Sequence, residues 1–260
     1  MMARRLRAAE IQARKGVPFA SVTAYDVSFC VAIEAAGIDV ILVGDSLGNV
    51  ILGFDSTLGV TLDDMERHGG AVARATSRAH VIIDMPFMSY EASDEDAIRN
   101  AGRLVRAGAS SVKLESAAHS RRIAAIVAAG IPVVAHIGVV PQTAALQAGF
   151  RRRTDRSALL ADARTVAEAG AFAVVLEMID ADVAAEITRT LAIPTIGIGS
   201  GPACDAQILV LNDLLGITRE PPPFVRPYAR IGDVAGAALR RYADEVRSGT
   251  YGVAGEPGLD

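Results

Sequence analysis

Five short apolar runs in this chain end in, or carry, an ionisable side chain. Asp45 and Ser46 follow Val40-Ile41-Leu42-Val43-Gly44, and Asp84 follows Val81-Ile82-Ile83. Lys113 and Glu115 alternate with Val112 and Leu114, so period two puts them on one side of a strand. His136 follows Val133-Val134-Ala135, and Glu177 follows Val174-Val175-Leu176. A charge at the end of an apolar strand is costly to bury unless it is paired or binds a cation. Asp45, Asp84, Glu115 and Glu177 face only Lys113 and His136, an acidic excess that a divalent cation balances. The candidate ligands are oxygens, with one histidine and no cysteine, which favours Mg²⁺ over Zn²⁺. Such a site acts as a Lewis acid on a 2-oxo acid chelated through its carboxylate and ketone oxygens. A nearby carboxylate then removes the proton beside the ketone.

Each residue also has a plain structural alternative. Asp45 and Asp84 would serve as caps after strands, Glu115 as the partner of Lys113, and His136 as a hydrogen-bonded core histidine. Gly197-Ile198-Gly199-Ser200-Gly201 suits either a phosphate held by backbone N–H groups or a turn that clears room for substrate. His68, His80 and His119 fall in helical or pre-strand contexts and receive no role.

The elements that must position these residues alternate along the whole chain. Apolar runs predict strands at 19–24, 40–43, 81–83, 111–114, 133–135, 173–176, 195–198 and 208–210. Helical patterns fill 27–36, 63–76, 93–107, 117–129, 157–169, 182–191 and 233–246, the third opened by Ser93 as N-cap. Alternation of this kind makes a parallel sheet, and this number of units matches a (β/α)8 TIM barrel, in which strand C-termini carry the chemistry. An open doubly wound sheet would show a Gly-rich turn after its first strand, where this chain has Ala24-Tyr25-Asp26. A single barrel domain over 1–260 is expected, with a mobile Gly-rich tail at 249–260. The prolines at 221–223 and 227 exclude helix or central strand there.

Composition narrows the setting. Of 260 residues 51% are hydrophobic, enough for a large core, and the net charge of -4 argues against nucleic acid or an acidic membrane as partner. No apolar run reaches the roughly 18 residues of a transmembrane span. Residues 1–16 are basic and lack a secretory apolar segment; a mitochondrial presequence is the weaker alternative, because the folded pattern starts almost at once. Cys30 and Cys204 read as reduced thiols, and a cytoplasmic protein is expected. Of the 26 basic residues only Lys15 and Lys113 are lysine, so a lysine inside an apolar strand serves a need that arginine does not meet.

Several motifs resemble ketopantoate hydroxymethyltransferases. They include 22–26 (Val-Thr-Ala-Tyr-Asp), 43–48 (Val-Gly-Asp-Ser-Leu-Gly), 55–58 (Asp-Ser-Thr-Leu) and 84–90 (Asp-Met-Pro-Phe-Met-Ser-Tyr). Others are 112–115 (Val-Lys-Leu-Glu), His136-Ile137-Gly138, Pro141-Gln142, Leu176-Glu177 and 197–201, continuing through Asp205, 207–210, Asp213 and 216–218. The likeness covers roughly residues 5–250. It implies a barrel of the phosphoenolpyruvate/pyruvate type that uses Mg²⁺ and 5,10-methylenetetrahydrofolate to add a hydroxymethyl group to 3-methyl-2-oxobutanoate. By motif, Asp45 and Asp84 would bind Mg²⁺, with Glu115 an outer-sphere or third ligand. Asp45, Ser46, Asp84, Lys113 and His136 would bind the oxo acid, and Glu177 would remove the C3 proton. The resemblance also implies a homo-oligomer, often a decamer.

The chain departs from the family pattern at Phe54, Gly59, Arg151-Arg152-Arg153, Asn212 and 219–223. Those loops leave room for two alternatives: a paralogous Mg²⁺-dependent 2-oxo-acid aldolase or C–C lyase, and a non-catalytic oxo-acid-binding barrel. The arginine run reads as a solvated surface, with an anionic cosubstrate as the competing reading.

Overall fold

The sequence alternation becomes eight parallel strands that close on themselves in chain order. The computed structural model describes residues 4–144, 146 and 149–252. The strands are β1 (Phe19–Thr23), β2 (Val40–Val43), β3 (His80–Asp84), β4 (Ser111–Glu115), β5 (Val133–Gly138), β6 (Ala173–Glu177), β7 (Thr195–Ile198) and β8 (Ala206–Leu209). The helices are α1 (Ala8–Gln12), α2 (Cys30–Ala35), α3 (Leu47–Val50), α4 (Leu62–Ala75), α5 (Asp94–Ala107) and α6 (Ser120–Ala128). They continue as α7 (Pro141–Ala144), α8 (Arg156–Glu168), α9 (Ala181–Thr190), α10 (Leu211–Leu214) and α11 (Ile231–Ser248). The chain divides into two compact units, 1–210 and 211–260, and the barrel lies in the first. Among the described residues no helix is long and apolar enough to cross a membrane.

Local chemistry sets the boundaries. The Ser93 side chain accepts from the Asp96 backbone N–H at 3.0 Å and starts α5, and Gly108 ends it. The buried stripe Ala97, Ala101, Leu104 turns that helix to the barrel. The strands β2, β3 and β4 are buried at every position, which is why β2 and the middle of β3 read as continuous apolar runs and why the polar residues of β4 need partners. Four strands run further than the apolar pattern, through Asp84, Glu115, His136 and Glu177. The ladder continues there because each charged residue finds a neighbour in register: Asp84 lies opposite Lys113, and Glu115 opposite His136.

The N-terminal mouth is closed by a segment that has no strong pattern in the sequence. Ile11 of α1 packs into the core with Phe19, Val40, Ile82, Val134, Phe172 and Ile208. Lys15 donates from Nζ to Asp205 Oδ2 at 2.9 Å and to the Thr188 carbonyl, and Asp205 also accepts from the backbone N–H groups of Gly16 and Thr195. His80 is buried on this side, Nδ1 2.8 Å from the Leu6 carbonyl and Nε2 2.8 Å from Ser111 Oγ.

Burial lowers the His80 pKa to about 4, against a carbonyl that favours the proton. Above the unfolded value of about 6.5 the ring is neutral in both states and contributes nothing. Between that value and 4 the unfolded chain takes a proton that the folded one refuses, so stability falls as pH falls. The loss from this residue is about 3 kcal/mol by pH 4. Urea midpoints at pH 7 and pH 4.5 should converge in His80→Gln relative to the parent; an unchanged difference would contradict the assignment.

In the second unit, the backbone N–H groups of Ile217 and Thr218 donate to the Asn212 carbonyl after α10. The prolines at 221–223 lie outside helix and strand, as expected. Gly249 caps α11 in a left-handed conformation. The rest of the tail expected to be mobile, 253–260, lies outside the described residues.

Candidate active site

Asp45, Ser46, Asp84, Lys113, Glu115, His136 and Glu177 all line one cavity of about 110 Å³ at the C-terminal ends of the strands. Lys113 is its centre. The ammonium lies 3.1 Å from Asp84 Oδ1, 3.8 Å from Glu115 Oε1 and 3.1 Å from His136 Nδ1. His136 Nδ1 is 3.3 Å from Glu115 Oε1, and its Nε2 is 3.2 Å from Glu177 Oε2. The Asp45 backbone N–H donates to Asp84 Oδ2 at 3.0 Å. Tyr25 Oη stands 2.9 Å from Ser46 Oγ and accepts from Thr23 Oγ1, a chain of hydroxyls along the rim. Gly44 keeps this corner open: a Cβ there would lie 2.8 Å from Ser46 Oγ and 3.6 Å from Asp84 Oδ2.

The charges here are buried deeply enough to shift one another. Burial, with Asp84 and Glu115 nearby, pushes the Asp45 carboxyl well above the usual carboxylate range. Burial raises Asp84 too, against the pull of Lys113. For Lys113, burial opposes the charge but Asp84, Glu115 and Asp45 outweigh it, so the ammonium is held more firmly than in water. His136 is raised to about 9: burial and Lys113 oppose protonation, and Glu115 and Glu177 overcome them. Burial also opposes ionisation of Glu115, which His136 and Lys113 nevertheless keep below its usual range. Three buried atoms in this cluster, Asp84 Oδ1, Glu115 Oε1 and His136 Nε2, have ion-pair neighbours but no aligned hydrogen bond. Native interiors rarely leave several such atoms in one place, and a cavity between them marks a site shaped for a ligand.

The backbone is forced at the same points. Among the described residues three non-glycines have φ in the left-handed region: Met88, Ser116 and Met178, at +65°, +73° and +48°. Ser116 and Met178 directly follow Glu115 and Glu177. Such conformations cost about 1–3 kcal/mol each and persist where surrounding structure imposes them. Behind Glu177, Gly138 has φ +100°, and a Cβ on it would collide with the Glu177 carbonyl.

Sequence reasoning gave Gln142 and Tyr90 no role. Both are buried, and Gln142 joins Asp45, Met85, Glu115 and Tyr90 by hydrogen bonds. Both fall in motifs singled out in the sequence, 84–90 and Pro141-Gln142, but nothing local to either residue showed its task. Of the departures within the first unit, Phe54, Gly59 and Arg151-Arg152-Arg153 are not among the residues that line the cavity. The Phe54 ring covers Gly59, where an added Cβ would approach it to 3.0 Å, so these two departures fit each other. Arg152 donates to the Ile179 and Gly199 carbonyls at 2.7 and 2.8 Å, tying together the turns after β6 and β7. A larger open cleft of about 820 Å³ in the second unit is lined by Arg219, Arg230 and Arg240 among others, without the acid–base set.

The family model for ketopantoate hydroxymethyltransferase matches residues 5–254. The chain belongs to the ketopantoate hydroxymethyltransferase family. As a member it is an enzyme, a hydroxymethyl transferase. It is 50% identical over 255 residues to a 3-methyl-2-oxobutanoate hydroxymethyltransferase of Pyrobaculum aerophilum, covering 96% of this chain and 97% of that one. It is 52% identical to the enzyme of that name from Hyperthermus butylicus, covering 92% and 84%. A solved phosphonopyruvate hydrolase in complex with oxalate and Mg²⁺ superposes with a TM-score of 0.65 at 15% identity, covering 98% and 93%. A solved 2,3-dimethylmalate lyase superposes at 0.62 and 17%, covering 96% and 91%. At that identity the two structures speak for the barrel of this ketopantoate hydroxymethyltransferase family member, not for its substrate.

Proposed function

We propose that this enzyme transfers a hydroxymethyl group from 5,10-methylenetetrahydrofolate to 3-methyl-2-oxobutanoate, giving 2-dehydropantoate, with Mg²⁺ held by Asp45 and Asp84. The observation that carries the reading is the division of the cavity lining. The strands β3, β4 and β5 contribute only Asp84, Lys113, Glu115 and His136, while β7 and β8 contribute only Ile198 and Ile208. In a closed barrel in chain order these arcs face each other across the axis. Val175 of β6 extends the apolar side, and Leu42 of β2 adds a further apolar group beyond Thr23 of β1. A small acid with a charged head and a branched apolar end matches that arrangement, and about 110 Å³ suits a molecule of this size.

The metal fits the donor set. Asp45 and Asp84 supply adjacent hard oxygens, and Asp84 Oδ1 lacks an aligned hydrogen bond. These two aspartates suffice for Mg²⁺, which takes one or two carboxylates and leaves its other positions to water and substrate. Bound there, it supplies Lewis-acid polarisation of the oxo group. Glu115, held by Lys113 and His136, would serve as its outer-sphere or third ligand. Lys113 and Ser46 bind the oxo-acid head, and His136 orients it. Glu177 removes the C3 proton, and the C–H electron pair passes into the C2–C3 bond as charge moves to the oxo oxygen. Water releases the one-carbon unit from the two folate nitrogens at the level of formaldehyde, each nitrogen keeping a proton. C3 bonds to its carbon, and its former carbonyl oxygen takes the proton held on Glu177 to become the new hydroxyl. Buried, unpaired Cys30 and Cys204 suit a reducing compartment, and the family resemblance supports a cytoplasmic homo-oligomer.

Proton NMR of 3-methyl-2-oxobutanoate in D₂O tests the chemistry. With enzyme and Mg²⁺ the C3 proton signal should disappear, EDTA should prevent this, and methylenetetrahydrofolate should then yield product. Exchange without any transfer from the folate would refute the proposed donor. Metal binding has its own readout. At about a hundred times its Kd, Mg²⁺ should stabilise the fold by about 2.7 kcal/mol, or about 5–10 °C in Tm. Asp84→Ala should abolish the shift, and a shift of equal size in that variant would remove Asp84 as a ligand.

A further inference from the structure

We infer that Gln142 is a positioning residue for the metal site: its side-chain amide fixes the Asp45 carboxylate so that one oxygen is turned to the ion. This rests on the reading of Asp45 and Asp84 as the Mg²⁺ ligands.

Gln142 is 1% exposed and its amide is fully committed. Nε2 donates to Asp45 Oδ2 at 2.8 Å and to the Met85 carbonyl at 2.9 Å. Oε1 accepts from Tyr90 Oη at 2.6 Å. The backbone N–H donates to Glu115 Oε2 at 3.0 Å. One residue therefore reaches the loop after β2, the loop after β3 and the end of β4, from a four-residue helix after β5.

These contacts select orientations. A primary amide has two donors and one acceptor oxygen; the Met85 carbonyl, which only accepts, fixes the NH2 end, and the Tyr90 hydroxyl, able to donate or accept, then donates to the oxygen. With its oxygen toward Tyr90, Gln142 presents N–H groups to Asp45 and Met85. Turned over, it would set its oxygen against the Asp45 carboxylate. Asp45 Oδ2 is thus occupied by a neutral donor, which leaves Oδ1 as the oxygen free of this bond. The same backbone N–H occupies Glu115 Oε2 and leaves Oε1 toward Lys113 and His136. Lys113, the cation closest to the site, is engaged with Asp84 rather than holding Asp45 away. Groups of this kind, which orient metal ligands without touching the metal, typically change affinity by about 10–100-fold when removed.

The test is calorimetric titration of the full-length protein with Mg²⁺, well below Tm and without substrate. Gln142→Met keeps the length and removes the amide. It should weaken Mg²⁺ binding about 10–100-fold, and the folded fraction is checked by the melt in EDTA. If the methionine variant does not fold, Gln142→Asn serves: it stays polar but withdraws the amide by one methylene, and the same weakening is expected. Affinity within twofold of the parent in a folded variant overturns the inference, since a merely structural glutamine would change the melt and leave the Kd alone. Asp84→Ala separates the two levels of the argument. If it loses Mg²⁺ while the Gln142 variant keeps it, only the role of Gln142 fails. If Asp84→Ala binds Mg²⁺ as the parent does, the metal site is misassigned and the inference falls with it.

Discussion

Glu177→Gln is expected to slow C3 proton exchange by about 10²–10⁴-fold, the range that a positioned base contributes. The oxo acid should still bind. Glutamine keeps the shape and can meet His136, whose Nε2 stands 3.2 Å from the present carboxylate, but its amide takes no proton at neutral pH. Glu177 is also more open than its neighbours, with 15% of its side chain exposed against 3% for Glu115. It is the carboxylate best placed to meet an incoming molecule. Single-turnover exchange by NMR measures the rate, and calorimetry with the oxo acid and Mg²⁺ measures binding. Exchange at the parent rate would move the base to another carboxylate. A large loss of oxo-acid affinity would make Glu177 a binding group instead.

The carboxylates were legible in the sequence because burial leaves a strong mark. An ionisable residue after Val-Val-Leu or Val-Ile-Ile breaks the apolar pattern, and in a barrel the end of a strand is the working face. Period two gave Lys113 and Glu115 one side, and the structure puts them 3.8 Å apart. What period could not give was register. Asp84 opposite Lys113 and Glu115 opposite His136 are pairings between strands far apart in the chain. The strand ends were missed by one to three residues for the same reason, since polar residues extend a strand only when a partner is across the ladder. Gln142 and α1 were faint because their contacts are almost all long-range. Ile11 joins the core from a short helix in a basic segment, and nothing near it in sequence shows what it covers. Lys113, a lysine inside an apolar strand, was the clearest compositional signal, whereas Lys15 carried none. Both hold a buried aspartate, Lys15 with Asp205 and Lys113 with Asp84.

Lys113→Met should therefore be the costliest single change for stability in the ligand-free protein. Lys113 and Asp84 are 4% and 2% exposed, so removing the ammonium leaves a buried carboxylate without its cation. Breaking one partner of such a pair costs about 3–5 kcal/mol. In a domain of this size that is a Tm lower by about 6–20 °C. The same ion pair replaced on both sides, Lys113→Met with Asp84→Leu, should recover part of the loss, because most of it is the stranded charge and not the bond itself. Lys113→Arg makes the opposite comparison. It keeps the charge, so its Tm should fall much less than that of the methionine variant. Its planar guanidinium is larger than an ammonium and points into a cavity of only about 110 Å³, so oxo-acid binding should be lost. A methionine variant that melts within a degree or two of the parent would mean that the acidic cluster does not depend on Lys113. An arginine variant that still binds the oxo acid would mean that the head group is held elsewhere.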